Sequence, residues 1–111
     1  MKKVIRDGKV AVIYSPGYGA GWSTWNDDED RDWLLFHPEL VKAVDENKSC
    51  EEIIELVEKL KLDFGHSEDD YVCSIGASKL MIAWIPLGAI FYIEEYDGSE
   101  RVVCGGSFNQ A

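Results

Sequence analysis

Residues 3–14 read Lys3-Val4-Ile5-Arg6-Asp7-Gly8-Lys9-Val10-Ala11-Val12-Ile13-Tyr14, and this stretch decides the fold class. Asp-Gly between two runs of strand-forming residues is the connection of a type I′ hairpin, because both central positions of that turn need positive φ. The second arm is apolar at every position from 10 to 13. A strand with one wet face would alternate, so this one predicts a strand covered on both faces.

The same dipeptide returns at Asp97-Gly98, between a run over residues 90–96 and another over 99–104. A two-residue turn there sets Ile93 opposite Val102, Glu94 opposite Arg101 and Glu95 opposite Glu100; the first two pairs favour this register and the third opposes it mildly. Residues 71–75 and 80–85 also read as strands, separated by Gly76-Ala77-Ser78 and followed by the turn Pro86-Leu87-Gly88. Between the two strand regions the period changes to that of a helix. Pro38 suits the first turn of a helix running through Leu40, Val41 and Val44. Ser49 with Glu52 forms a capping box for a second helix from Cys50 to about Leu62, with Ile53, Leu56, Val57 and Leu60 on one face and Glu51, Glu55, Glu58 and Lys59 on the other. Gly65 ends it. The expectation is an α+β domain: an antiparallel sheet, made of the N-terminal hairpin plus a C-terminal meander, with two helices packed on one face.

The totals agree with one compact domain over residues 1–111. The chain has 111 residues, 46% hydrophobic and 12% aromatic, enough apolar surface to fold without disulfides. Its 21 acidic and 11 basic side chains leave a formal net charge of -10, which disfavours direct nucleic-acid binding. The charge is segregated. Residues 26–70 carry 16 acidic and 5 basic side chains, whereas the remainder carries 5 and 6. Cys50, Cys73 and Cys104 lack both the CxxC spacing of zinc sites and the density of a secreted scaffold, which fits reduced thiols in a cytoplasm. The apolar runs are too short or too interrupted to predict a membrane span.

The most unusual segment is Ser15-Pro16-Gly17-Tyr18-Gly19-Ala20-Gly21-Trp22-Ser23-Thr24-Trp25-Asn26. Alternating glycines let backbone N–H groups approach a bound group closely, and Tyr18, Trp22 and Trp25 offer ring faces for stacking. Residues Tyr18, Gly19, Gly21, Trp22, Ser23, Thr24, Trp25 and Asn26 are therefore candidate contacts for a nucleotide-like or sugar-like ligand. The competing reading is a glycine-rich crossover whose two Trp rings plug the end of the core. The segment is neither a P-loop nor a dinucleotide fingerprint.

The acidic run Asp27-Asp28-Glu29-Asp30-Arg31-Asp32 reads as a solvated loop or as a contact surface for a basic protein. Asp28, Asp30, Asp32 and Glu39 fall at calcium-loop spacing, but Trp33 stands where the sharp turn needs Gly, so no metal site is assigned. His37 and His66 titrate nearest neutrality; His37 reads as support for a helix start and His66 as part of a polar loop. Tyr92, Glu94 and Tyr96 share one strand face, which reads as solvated. No catalytic residue and no cofactor is assigned.

Gly17-Tyr18-Gly19-Ala20-Gly21-Trp22-Ser23-Thr24-Trp25-Asn26, Leu35-Phe36-His37-Pro38-Glu39-Leu40-Val41, and the span from Ile85-Pro86-Leu87-Gly88 to Asp97-Gly98-Ser99-Glu100 together resemble small proteins encoded in tailed-phage genomes. That group has no settled activity, so the resemblance carries over no catalytic residue. It implies a host cytoplasm and an accessory, counter-defence role. By analogy with the Thoeris and CBASS antagonists, it also implies a homo-oligomer that sequesters a nucleotide-derived small molecule. The alternative is an acidic inhibitor that docks on a basic surface of a host effector, with no membrane partner in either case.

Overall fold

Asp7 and Gly8 take φ of 51° and 74°, and Asp97 and Gly98 take 48° and 83°, so both Asp-Gly dipeptides form the mirror-image turns their residues favour. The structure, a computed structural model, describes residues 1–19, 21–105 and 109–111. The first turn joins β1 (Ile5–Arg6) to β2 (Lys9–Tyr14). Val10, Ala11, Val12 and Ile13 are fully buried, as the unbroken apolar run requires. Ala11 and Ile13 point into one cluster with Leu40, Val41, Ile53, Val57 and Leu60, and Val10 and Val12 into another with Leu35, Phe36, Ile85 and Phe91.

Cover on the first face comes from α2 (Pro38–Asp45) and α3 (Cys50–Leu60). His37 and Ser49 cap their N-termini through bonds to the Glu39 and Glu52 N–H groups, the latter in a complete capping box. A 3-10 turn over Lys61–Phe64 extends α3 to Gly65, whose φ of 92° ends it. Cover on the second face comes from Leu35 and Phe36, at the end of the helix Asp28–Phe36, and from Phe91 of a second sheet. β3 (Met81–Pro86) pairs with β2 in full register, Lys9 to Pro86 through Tyr14 to Met81. Beyond the corner at Pro86 and Gly88 the chain enters a second sheet. There β4 (Ile90–Tyr96) lies between β5 (Ser99–Cys104) and β6 (Asn109–Gln110). Ile93 faces Val102, Glu94 faces Arg101 and Glu95 faces Glu100, the register that a two-residue turn imposes.

The α+β class is as expected, and three details differ. The strands form two three-stranded antiparallel sheets, β1-β2-β3 and β5-β4-β6, in place of one. A strand buried on both faces needs two covering layers, and the second sheet is one of them. Asp28–Phe36 is a helix, α1, where a solvated loop was expected. Asp28, Glu29 and Asp30 fill its first turn, where the helix dipole favours anions, while Trp33, Leu34, Leu35 and Phe36 are buried. That helix also dissolves the partial calcium spacing, since residues two apart on a helix point in widely different directions. Residues 71–75 are not a strand: the Cys73 N–H donates to Asn26 Oδ1 and the Cys73 carbonyl accepts from Asn26 Nδ2, at 2.8 and 2.9 Å. A side-chain amide does there what a neighbouring strand would do.

Candidate functional site

The glycine-rich loop follows β2 and runs against the start of β5. Alternation along β5 turns Glu100 and Val102 inward, and Glu100 is buried with 2% exposure. Its carboxylate accepts from the backbone N–H groups of Ser15 (2.9 Å), Trp22 (2.8 Å) and Thr24 (3.1 Å), and from the Thr24 hydroxyl (2.5 Å). The Glu100 N–H donates to the Ser15 carbonyl at 2.7 Å. The loop does form an anion cradle, and the anion in it belongs to the protein. Gly19 N–H donates to the Asp97 carbonyl and Ser99 Oγ to the Pro16 carbonyl, so the loop is fastened to the Asp97-Gly98 hairpin along its length.

The two loop Trp residues have different fates. Trp22 is fully buried, and its indole N–H donates to the Leu34 carbonyl at 2.8 Å. That carbonyl lies four residues before Pro38, which has no N–H to offer it. Trp22 thus plugs the core and satisfies the acceptor that the Pro38 start of α2 leaves open. Trp25 is 39% exposed, and its ring lies so close over Gly21 that a Cβ there would overlap it. Asn26 Nδ2 also donates to the Trp22 carbonyl. Of the candidate ligand contacts, Gly21, Trp22 and Ser23 are buried, Thr24 and Asn26 are committed to internal bonds, and Tyr18, Gly19 and Trp25 face solvent. Ala20, in the middle of the loop, lies outside the described residues.

No family model, curated protein or solved structure matches the chain. Its chemistry is therefore read from its own groups.

Glu100 escaped the sequence reading, where it figured merely as a mild repulsion with Glu95. The signal that identifies it is its parity with Val102, which puts a carboxylate on the core side of a strand. The repulsion is dispersed because Glu95 turns to accept the Gly98 N–H at 2.8 Å.

The helical layer holds the other concentration of charge. Glu51, Glu52, Glu55 and Glu58 lie exposed along α3, and Asp28, Glu29 and Asp32 along α1. Glu51, Glu55, Glu29 and Asp32 take part in no ion pair among the described residues. Beneath this surface, Asp30 is buried and its Oδ1 accepts from Trp33 Nε1 (3.0 Å) and meets His66 Nε2 (2.7 Å). His66 Nδ1 lies 3.5 Å from Asp70 Oδ2. Lys61, also buried, pairs with Glu58 and donates from Nζ to the carbonyls of Glu68 (3.1 Å) and Asp70 (2.6 Å). Lys61 and His66 hold residues 66–70 against α1 and α3. The two thiols read as strand residues separate: Cys73 is buried and Cys104 exposed, with Cys50 between these extremes.

The Asp30 hydrogen bond, reinforced by Asp70 and Glu29, raises the His66 pKa above its ordinary value, and burial lowers that of His37. The signs oppose. A raised folded-state pKa means that His66 contributes stability fully below the unfolded value of about 6.5 and loses it as pH rises through the folded value. His37 contributes above about 6.5 and loses that as pH falls, since a protonated Nδ1 cannot accept from the Glu39 N–H. Urea midpoints of wild type and His66→Gln should therefore differ more at pH 6 than at pH 8. An equal difference at both values would refute the His66–Asp30 linkage.

Proposed function

We propose that this protein is a protein-binding module that docks its acidic helical layer onto a basic surface of a partner, such as the nucleic-acid groove of an effector. The observation that carries the reading is charge segregation. Sixteen of the acidic side chains fall within residues 26–70 against five basic ones, and the carboxylates of α1 and α3 stand exposed. Such a field steers encounter with a basic patch and selects against acidic competitors. In the phage setting that the sequence resemblance implies, the partner is a host effector and the outcome is inhibition.

The small-molecule reading ranks second, because the loop's inward donors already hold Glu100 and its accessible groups reduce to Tyr18, Gly19 and Trp25. One titration set separates the two. Binding of decalysine, measured calorimetrically, should weaken by roughly tenfold or more between about 50 and 300 mM NaCl. It should fall in Glu51→Gln/Glu55→Gln and persist in Glu94→Gln/Glu95→Gln on the second sheet. Absence of decalysine binding, together with saturable binding of a cyclic dinucleotide that Trp25→Ala abolishes, would reverse the order.

A further inference from the structure

The outer strands of the two sheets are not equally guarded against pairing with another chain. β1 and β6 are two residues long, and β5 carries Glu100 and Arg101 and has the Glu100 N–H taken by the Ser15 carbonyl. β3 is six residues long, and residues 80–93 contain no charged side chain. Which of its backbone groups face outward follows from the pairing. The Ala11 N–H donates to the Val4 carbonyl at 3.0 Å, so Lys9, Ala11 and Ile13 turn their backbone groups toward β1, and Val10, Val12 and Tyr14 turn theirs toward β3. Through the register, Met81, Ala83 and Ile85 bond to β2, while the N–H and C=O groups of Ile82 and Trp84 point away from it. None of these outward groups has a hydrogen-bond partner among the described residues.

We propose that β3 pairs with β3 of a second copy of this chain, antiparallel, about a two-fold axis through Ala83. That axis sets Ile82 opposite Trp84 of the second copy and Trp84 opposite its Ile82, so the outward N–H and C=O groups satisfy one another and every bond lies inside β3. Pro86 has no N–H and closes the pairing at both ends. The free groups of the edge are thus their own complement, which a two-fold interface requires and a foreign strand does not. The half-buried Ile82 and Trp84 side chains gain apolar cross-strand neighbours, and the exposed Met81 comes to lie opposite Ile85. Charge permits the approach, since β3 belongs to the part of the chain outside residues 26–70, which carries 5 acidic and 6 basic side chains. The product is a continuous six-stranded sheet with both helical layers on one side. The inference goes beyond the docking reading and does not rest on it.

An edge this short makes a weak dimer, so sedimentation equilibrium over about 5 to 500 μM should show monomer giving way to dimer. Each copy has a net charge of -10. Raising NaCl from about 50 to 300 mM should therefore strengthen the dimer severalfold, the opposite of its effect on decalysine binding. Amide exchange with water locates the contact. The Ile82 and Trp84 N–H groups should exchange at least roughly threefold more slowly at about 500 μM than at about 20 μM, while those of Ala83 and Ile85, already bonded to β2, should not change. Met81→Glu, which presses a carboxylate against Ile85 of the second copy, should weaken dimerisation by roughly tenfold or more. Ile5→Glu adds the same charge on the opposite edge of that sheet and should weaken it far less. Both side chains are about half exposed, so folding tolerates either change. A monomer at every concentration, a dimer whose Ile82 and Trp84 exchange is unchanged, equal weakening in the two variants, or a dimer that weakens with salt would each overturn the proposal. None of these outcomes decides whether decalysine binds, so the docking reading stands or falls separately.

Discussion

Glu100→Ala is expected to destabilise the protein by about 3–5 kcal/mol, comparable to the entire stability of a marginal domain. The substitution removes the acceptor shared by three backbone N–H groups and the Thr24 hydroxyl, and a buried donor left without a partner forfeits its hydration with nothing in return. Glu100→Gln provides the sharper test because it conserves shape. One side-chain oxygen still accepts, but the new amide turns N–H groups toward other N–H groups, and a loss of about 2–3 kcal/mol should follow. Urea denaturation at neutral pH measures both. A Glu100→Gln variant as stable as wild type would mean that the loop does not depend on the carboxylate.

Trp22→Ala should cost a similar amount, about 3–5 kcal/mol, through the cavity left by a fully buried ring. Trp22→Phe isolates a different part of the effect. Much of the volume stays, but the Leu34 carbonyl loses its donor, and Pro38 prevents the backbone from replacing it; about 1–3 kcal/mol should be lost. Trp25→Ala, three positions along, removes a ring that is partly in solvent and should cost less than half as much as Trp22→Ala. Comparable losses at the two positions would contradict the division of roles between them.

How much of this was readable in advance depends on the range of the interaction. Both Asp-Gly hairpins, the register of β4 on β5, the capping box at Ser49 and the burial of β2 follow from neighbours in sequence, and all are present. Helix α1 was obscured because its acidic first turn has the composition of a loop, while its buried residues crowd into the second half. Residues 71–75 alternate like a strand, and what stops them from pairing as one is Asn26, 47 positions from Cys73. The split between Trp22 and Trp25 was equally hidden, since it turns on Glu100, 78 positions from Trp22. Nothing local distinguishes a loop that cradles a ligand from one that cradles a distant glutamate.

The span from Ser15 to Glu100 also bears on synthesis. The two are 85 positions apart, which at bacterial and eukaryotic elongation rates corresponds to roughly 4–17 s on the ribosome. Until β3 and β4 are made, late in that interval, β2 has β1 beside it but neither β3 nor the second sheet, so its four-residue apolar run is a sticky segment in waiting. Glu100 then acts as a late latch, closing the loop once the strand that carries it has emerged. The region most exposed to mispairing is therefore the earliest one made, and a helper that shields nascent chains would be expected to raise the yield of folded protein.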